Sequence, residues 1–356
     1  MSCKNALIPH LFLEVRGVRQ GSSQMFTDDD MVFFTVAIPT YNGETRLHRV
    51  LQCLQDCFTH PALLELNLPS HFGEILVVDN NSSDRTAEIV REYQAIWPQH
   101  SQLRYCFEPE QGAAFARQKA VEEAQGELIG FLDDDNWPAS DWVAAAIGFH
   151  RAHPEVGAYG GQIHGSFESD PPTNFQKIAC LLAIVERGDR AYCYTPQSKI
   201  LPPSAGLVVQ KQVWLIAVPK RLFLNHKGRE AGLASEDLEA LLYIQRAGWD
   251  IWYNPEMRLY HHIPSWRLEV DYLVSLVRCI GLSRYHIRML RLKSWQKPIA
   301  SLVYFVADLL KLVKHYFQSC SRDSQDTIAR CERELLLSTL LSPFFLWKIR
   351  YLGTRT

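Results

Sequence analysis

Glu127-Leu-Ile-Gly-Phe-Leu-Asp-Asp-Asp135 is the stretch on which the fold of this chain turns. Leu128-Ile-Gly-Phe-Leu132 is almost wholly apolar, as a strand covered on both faces must be. Three carboxylates follow at once. Acids at the carboxyl end of such a strand stand at the mouth of a sheet, where open α/β folds receive their ligands. Three adjacent like charges repel, and a hard divalent cation carrying a phosphate compensates them economically. The plain alternative is a solvated acidic turn that opens a helix from Ser140.

The flanking sequence has the alternation such a strand needs. Val32 to Ile38 is rich in β-branched and aromatic residues and reads as the first strand, closed by Pro39-Thr40-Tyr41-Asn42-Gly43. Leu47, Val50, Leu51, Leu54 and Phe58 then fall on one helix face. Glu74 to Val78 is the second strand, ended by Asp79 to Asp84. An amphipathic helix with Ile89, Val90, Tyr93 and Ile96 follows, then a short strand over 103–107 and a helix over 113–124. Strands alternating with helices imply a mainly parallel sheet flanked by helices, a Rossmann-like nucleotide-binding half. Further strand-and-loop material is expected at 157–161 and 202–209, and a strand at 250–253. Beyond Arg267 the pattern is helical. The expected organisation is an irregular lead-in over 1–31, an α/β domain over 32–267 and a helical extension over 268–356.

With 356 residues, 47% hydrophobic and 21% charged, the chain has ample material for a large core and is not of disordered type. Its nine cysteines form no Cys-x-x-Cys pair, which excludes a disulfide framework and favours a reducing compartment. Cys53 and Cys57 share a helix face and read as thiols of the fold. The amino terminus is too weak for a signal peptide. Net charge is −2, yet residues 278–356 carry 14 Lys+Arg against 5 Asp+Glu, and the preceding residues 23 against 34. Two readings stay open: a basic tail that meets anionic headgroups, or a basic helical face paired with the acidic domain. The apolar run 299–317 contains Asp308, Lys311, Lys314 and His315, which fits an interfacial or buried helix better than a membrane span. The run 335–347 is too short to span and holds Pro343.

Four loops gather at the strand ends in this reading. Pro39-Thr40-Tyr41-Asn42 offers backbone and side-chain contacts. Asp79 can accept from a nucleobase N–H, with Asn80, Asn81 and Ser82 beside it, while Ser83 or Asp84 caps the next helix. In the acidic cluster Asp135 is expected to ligate the metal directly, Asp133 to reach a ribose or a metal-bound water, and Asp134 to face away. Ser235 is expected to cap a helix whose first turn carries Glu236 and Asp237, where the dipole favours ionised carboxylates. His261 or His262 can complete a metal shell through a neutral imidazole; a structural histidine is the alternative.

These segments, taken together, resemble the family 2 glycosyltransferases, enzymes of GT-A fold. The resemblance rests on Val36-Ala-Ile-Pro-Thr-Tyr-Asn42, Ile75-Leu-Val-Val-Asp-Asn-Asn-Ser-Ser-Asp-Arg-Thr86, Gly112-Ala-Ala-Phe-Ala-Arg117, Gly126 to Asp135, and Glu236-Asp237 with Gly248. It implies that Asp79 and its loop hold the nucleobase and that 133–135 is the metal-binding DxD element. It also implies that Asp237 is the catalytic base with Glu236 beside it. Pro203 to Gly206 is similar to the glycine-bearing segment bordering donor sugar and acceptor, and His261 to the element that reaches metal or diphosphate. The donor-binding set is thus Pro39, Thr40, Tyr41, Asn42, Asp79, Asn81, Arg117, Asp133, Asp134 and Gly206; Asp135, Asp133 and His261 are the metal set. Where the family often has a second aspartate after Asp79, this chain has Asn80. The Gln-x-x-Arg-Trp motif of processive synthases is missing downstream.

The implied activity is inverting, Mg²⁺- or Mn²⁺-dependent transfer from a nucleotide sugar, a UDP-sugar first, to a hydroxyl of a glycan or lipid-linked acceptor in polysaccharide or cell-surface glycan synthesis. No nucleic acid partner is expected. The expected location is cytoplasmic, at the inner face of the plasma membrane, with peripheral contact through 268–356. Two rivals differ in kind. A sugar-nucleotide nucleotidyltransferase would want a glycine-rich basic loop in place of Thr40 to Glu44, and an inactive scaffold in a membrane complex would not need the acids.

Overall fold

The computed structural model describes residues 32–98, 101–198, 200–225, 233–319 and 326–352; the lead-in expected over 1–31 lies outside them. The first half follows the sequence alternation closely. Strand β1 (Phe34–Thr40) leads to α1 (Leu47–Phe58) and the short α2 (Ala62–Glu65). Then come β2 (Gly73–Asp79), α3 (Thr86–Ile96), β3 (Gln102–Phe107), α4 (Ala113–Glu123) and β4 (Leu128–Phe131). Every residue of β2 and β4 is buried, which is why Ile75 to Val78 of β2 and the whole of β4 are apolar. Leu47, Val50, Leu51, Leu54 and Phe58 are the buried face of α1, and Cys53 and Cys57 are buried with them.

The second half is less regular: β5 (Asn136–Pro138), α5 (Trp142–Ala152), β6 (Ala158–Phe167), β7 (Tyr192–Cys193), β8 (Val208–Gln210), α6 (Lys211–Ala217), α7 (Glu236–Arg246) and β9 (Ile251–Ile263). One sheet runs β3-β2-β1-β4-β8-β6-β9-β5, with β7 on β9. The pairs β3-β2, β2-β1 and β1-β4 are parallel, as expected from the alternation. From β8 onward the sheet is mixed: β8 is antiparallel to both β4 and β6, and β6 is parallel to β9.

The strand expected at 250–253 continues to Ile263, so Tyr260, His261 and His262 lie within it. Pro255 is tolerated because the register slips there: Tyr253 pairs with Gly160, but the next pair is Arg258 with Gln162. A side chain at Gly161 would strike the Met257 carbonyl, so the bulge needs a glycine opposite it.

Helices α8 (Val270–Leu290), α9 (Lys297–Ser319) and α10 (Thr327–Leu352) follow. The run 335–347 belongs to α10, which carries Pro343 in its interior. None of the described helices is long and apolar enough to cross a membrane. A satellite core of Phe175, Ile178, Leu182, Ile263, Leu268, Leu273, Val277 and Ile328 fastens α8 and α10 to the end of β9. Arg278 and Arg288 meet acids of the same helical unit, Glu334 and Asp308.

Candidate active site

Two loops at the carboxyl edge of the parallel strands are stitched to each other. The Asn42 backbone N–H donates to Ser82 Oγ at 2.9 Å, Ser83 N–H donates to Asn42 Oδ1 at 2.9 Å, and Gly43 N–H donates to Thr86 Oγ1 at 2.8 Å. Asn42 and Asn81 both take left-handed backbone, which asparagine tolerates better than most residues. Pro39 is half-buried beside Val78, Tyr41 is exposed, and Asn81 is exposed at the loop tip. Asp79 ends β2, nearly fully buried. Its Oδ2 accepts from the Tyr105 hydroxyl at 2.8 Å and its Oδ1 from Ser82 N–H at 2.9 Å. Burial, then the Asp79 carboxylate, push the Tyr105 hydroxyl well up, so it remains a donor. Asn80 is spent on the neighbouring loop: it donates to the Glu108 and Glu110 carbonyls and accepts from Gly112 N–H.

The three aspartates diverge. Asp134 is turned toward β1 and α1, where it accepts from Thr40 Oγ1 at 2.6 Å and from Arg46 Nε and Nη2 at 2.7 and 2.9 Å. That bidentate pair ties the acidic loop to the loop after β1 and leaves Asp134 facing Arg46, not the other two acids. Asp133 accepts from Arg117 Nη2 at 3.0 Å and stays about 38% exposed. Asp135 accepts from Arg267 Nη1 at 2.8 Å and from Asn136 Nδ2 at 3.1 Å. Burial alone would raise the Asp135 carboxyl, but the positive charge that His261 carries when protonated, with that of Arg267, outweighs it and holds it well below the ordinary carboxylate range.

Arg117, on α4, is the hub. Its side chain is buried. Nη2 reaches Asp133 and donates to Ser204 Oγ at 2.8 Å; Nη1 donates to Glu236 Oε1 at 2.6 Å. One guanidinium thus spans the acidic loop, the segment before β8 and the start of α7. Burial disfavours its charge, yet the carboxylates around it raise its pKa further still. Glu236 is therefore locked in an ion pair. Asp237 is held by backbone instead: its Oδ2 accepts from Ser204 N–H at 3.1 Å and its Oδ1 from Leu238 N–H at 2.7 Å. Burial, and next the neighbouring Glu236 charge, push Asp237 up to about 6. A carboxylate that binds its proton this firmly has the character of a general base near neutral pH.

The helix start itself departs from expectation. Ser235 has φ 81° and no capping side-chain bond, so it does not cap α7. The Asp237 carboxylate serves its neighbour Leu238 N–H, and Ser235 contributes its carbonyl to Glu239 N–H. Gly206, after Ser204, has φ 70° and packs where a Cβ would strike Leu259 Cδ2 at 2.4 Å. Only glycine keeps the chain that close to β9.

His261 is buried, and its Nδ1 lies 2.9 Å from the Leu182 carbonyl. That contact requires the proton on Nδ1. Nε2 stands 3.4 Å from Asp135 Oδ2 and 3.1 Å from Arg267 Nη1. Arginine only donates, so the contact to Nε2 uses its lone pair. A carboxylate oxygen and a free imidazole lone pair thus face one point, with a guanidinium N–H held between them. The donor set suits a divalent cation, and the anchored Nδ1–H is the usual support for a ligating histidine. Among the described residues no three His, Cys, Asp or Glu side chains converge as a cage. His262 points elsewhere, stacking on Trp137 and meeting Glu168.

Sequence reading missed Arg46, Tyr105, Arg267 and Glu239. Glu239 is buried in α7, where it accepts from Phe223 and Leu224 N–H and meets His286 of α8. None of these stands in a local pattern. The available signal was charge alone, since Asp134 and Glu239 fall at positions where burial demands a partner.

Residues 35–206 match glycosyl transferase family 2. Among curated relatives, the glycosyltransferase AglE of Haloferax volcanii is 32% identical over 116 residues, 32% of this chain and 34% of that protein. The putative teichuronic acid biosynthesis glycosyltransferase TuaG of Bacillus subtilis is 35% identical over 104 residues, 29% of this chain and 36% of that one. The chain thus spans about a third of these relatives' own lengths. Among solved structures, the mannosyltransferase PcManGT from Pyrobaculum calidifontis, in complex with GDP-Man and Mn²⁺, aligns with a TM-score of 0.54 at 17% identity, over 96% of this chain and 93% of that one. The ordered motifs, the sheet and these matches agree: residues 35–206 carry the similarity to glycosyl transferase family 2, and the fold is of GT-A type.

Proposed function

We propose that the protein transfers a sugar, with inversion, from a nucleotide-sugar donor to a hydroxyl of a glycan or lipid-linked acceptor at a membrane surface on the cytoplasmic side. The observation that carries this reading is the Arg117 fork, which gathers Asp133 and Glu236 while Asp237 rests on the Ser204 N–H. Asp237 takes the acceptor's hydroxyl proton as that oxygen attacks the anomeric carbon. The bond from that carbon to the diphosphate oxygen breaks, and the nucleoside diphosphate leaves with its electron pair. Glu236, held by Arg117, keeps a negative charge next to Asp237 and so sustains its basicity. Asp79, with Pro39 to Asn42 and Asn81 around it, receives the nucleobase, and Asp133 faces the ribose or a bound water. Asp135 and His261 hold the cation, Mg²⁺ or Mn²⁺, which supplies charge stabilisation to the departing diphosphate.

The test is turnover of a panel of UDP-, GDP- and dTDP-sugars with Mn²⁺, read as nucleoside diphosphate release, in the wild type and in Asp237→Asn. Release from one donor class, lost in the variant while donor binding persists, is the expected result. Absence of binding and release across the whole panel would remove the proposal.

A further inference from the structure

Helix α9 has a face that nothing in the described structure covers. Leu302, Val303, Val306, Leu310, Val313 and Phe317 recur at three- and four-residue spacing, and each is more than 40% exposed. On α10, Phe344, Trp347 and Tyr351 form a second such strip, each at least 58% exposed. The two strips abut where the Phe344 ring lies edge-on to Phe305 of α9, centroids 6.0 Å apart. Scattered exposed apolar side chains need no explanation, but two adjoining helical strips of large ones do.

The charges in these strips are all of one sign. Lys314 sits four residues after Leu310 and three before Phe317; Lys348 sits four after Phe344 and three before Tyr351. Each lysine is therefore inside its apolar strip, and both are exposed. Helices α9 and α10 contain only three acids, and all three are engaged elsewhere: Asp308 is buried with Arg288, Glu332 meets Lys177, and Glu334 meets Arg278. Lysines rooted in apolar surface, with no acid of α9 or α10 paired to them, have the pattern of side chains whose stems lie in hydrocarbon while the ammonium reaches headgroup phosphate. A second copy of this chain fits less well. In a two-fold contact through this face the lysines would meet only lysines and apolar groups. None of the described helices is long and apolar enough to cross a bilayer, so any membrane contact of this face is made from the surface.

We infer that the α9–α10 face is a monotopic docking surface for an anionic lipid bilayer, Leu310, Val313, Phe317, Phe344 and Trp347 entering the acyl boundary and Lys314 and Lys348 pairing with phosphates. This sharpens the proposed acceptor side of the reaction but stands on its own observations, and its test does not use sugar transfer. The full chain is co-sedimented with phosphatidylcholine vesicles and with vesicles in which three lipids in ten are phosphatidylglycerol. The expected result is pelleting with the anionic vesicles, weakened by salt. Leu310→Glu/Val313→Glu should abolish it, and Lys314→Gln/Lys348→Gln should weaken it by about five-fold per lysine removed. Unchanged thermal melting and nucleotide binding of these variants separate a lost docking face from a lost fold or a failed donor reading. Equal binding of wild type and Leu310→Glu/Val313→Glu overturns the inference. So does a wild type that ignores both vesicles, including one that sediments as a dimer which the same variant dissociates.

Discussion

Asp237 and Glu236 are neighbours with opposite fates, and the difference is one guanidinium. Arg117 fixes the charge on Glu236 at 2.6 Å, while Asp237 has two backbone donors against its burial and is held up at about 6. The ionised form is the base, so kcat/KM should rise with pH through about 6 and level off above it, read from a pH–rate profile. The stability effect has the opposite sense. Between the ordinary carboxyl value of 3.8 and about 6 the folded chain holds this proton more tightly than the unfolded chain, so the contribution of Asp237 to stability falls as pH rises through that window. Asp237→Asn should flatten that dependence in denaturation measured at pH 5 and pH 7, while turnover falls about 10²–10⁴-fold and donor binding survives. Arg267 makes a separate prediction. Its Nη1 contacts both Asp135 and His261, so it competes with any cation for the same two ligands. Arg267→Ala should bind Mn²⁺ more tightly than wild type without nucleotide, as measured by titration with electron paramagnetic resonance. Weaker binding would show instead that Arg267 holds the ligands in place.

At the level of elements, the site is built where α4, α7 and the loop after β4 converge, and Arg117 is the only described side chain bonded to all three of Asp133, Ser204 and Glu236. Removing it strands the buried Glu236 carboxylate in a poorly solvated place, while Asp133 keeps its exposure to solvent. Arg117→Met should therefore cost about 3–5 kcal/mol in urea denaturation, with a pH–rate profile displaced upward as Asp237 loses the nearby positive charge that lowers its pKa. A variant of normal stability would mean that water replaces the guanidinium. These elements were unequally legible in the sequence. Helix α1 begins and ends where its apolar spacing does, and β1, β2 and β4 stand within two residues of their apolar runs, because each is buried against the same core on every side. The acids at the ends of β2 and β4 and in the first turn of α7 could be read because the strand and helix ends announce themselves locally. Ser235 misled because its residue type suits a cap, whereas the chain enters α7 through a left-handed turn. The strand expected at 250–253 falls short of the end of β9 at Ile263 because the bulge beyond Tyr253 is set by the partner strand, and Gly161 on β6 is far away in sequence. Arg46, Arg267 and Glu239 were invisible for the same reason: their roles exist only across contacts of long sequence separation.

At the scale of the whole molecule, the parallel half of the sheet carries the stitched loops after β1 and β2, and the mixed half brings β9 and its His261 against the acidic loop. Residues 265–268 and α8 then close on the same place, since Arg267 reaches Asp135 and His286 reaches Glu239. The C-terminal helices are thus mechanically joined to the site through two ion contacts and the satellite core around Ile263 and Leu273. A ligand that engages Asp79 on one side and the Asp135–His261 pair on the other bridges both halves of the sheet. It should therefore stabilise the molecule as a unit. A nucleoside diphosphate of the right base, at about 100 times its Kd, should add about 2.7 kcal/mol, seen as an upward shift of a single melting transition. That shift should need Mn²⁺ or Mg²⁺, disappear with a chelator, and be lost in Asp135→Ala, whose melting point without ligand should itself fall as Arg267 loses its partner. Asp237→Asn should retain it in full, since in the proposed reaction that carboxylate serves the acceptor hydroxyl and not the diphosphate. Should the nucleotide shift persist undiminished in Asp135→Ala with chelator present, Arg267 and neighbouring donors hold the diphosphate without a cation, and Asp135 and His261 are not metal ligands.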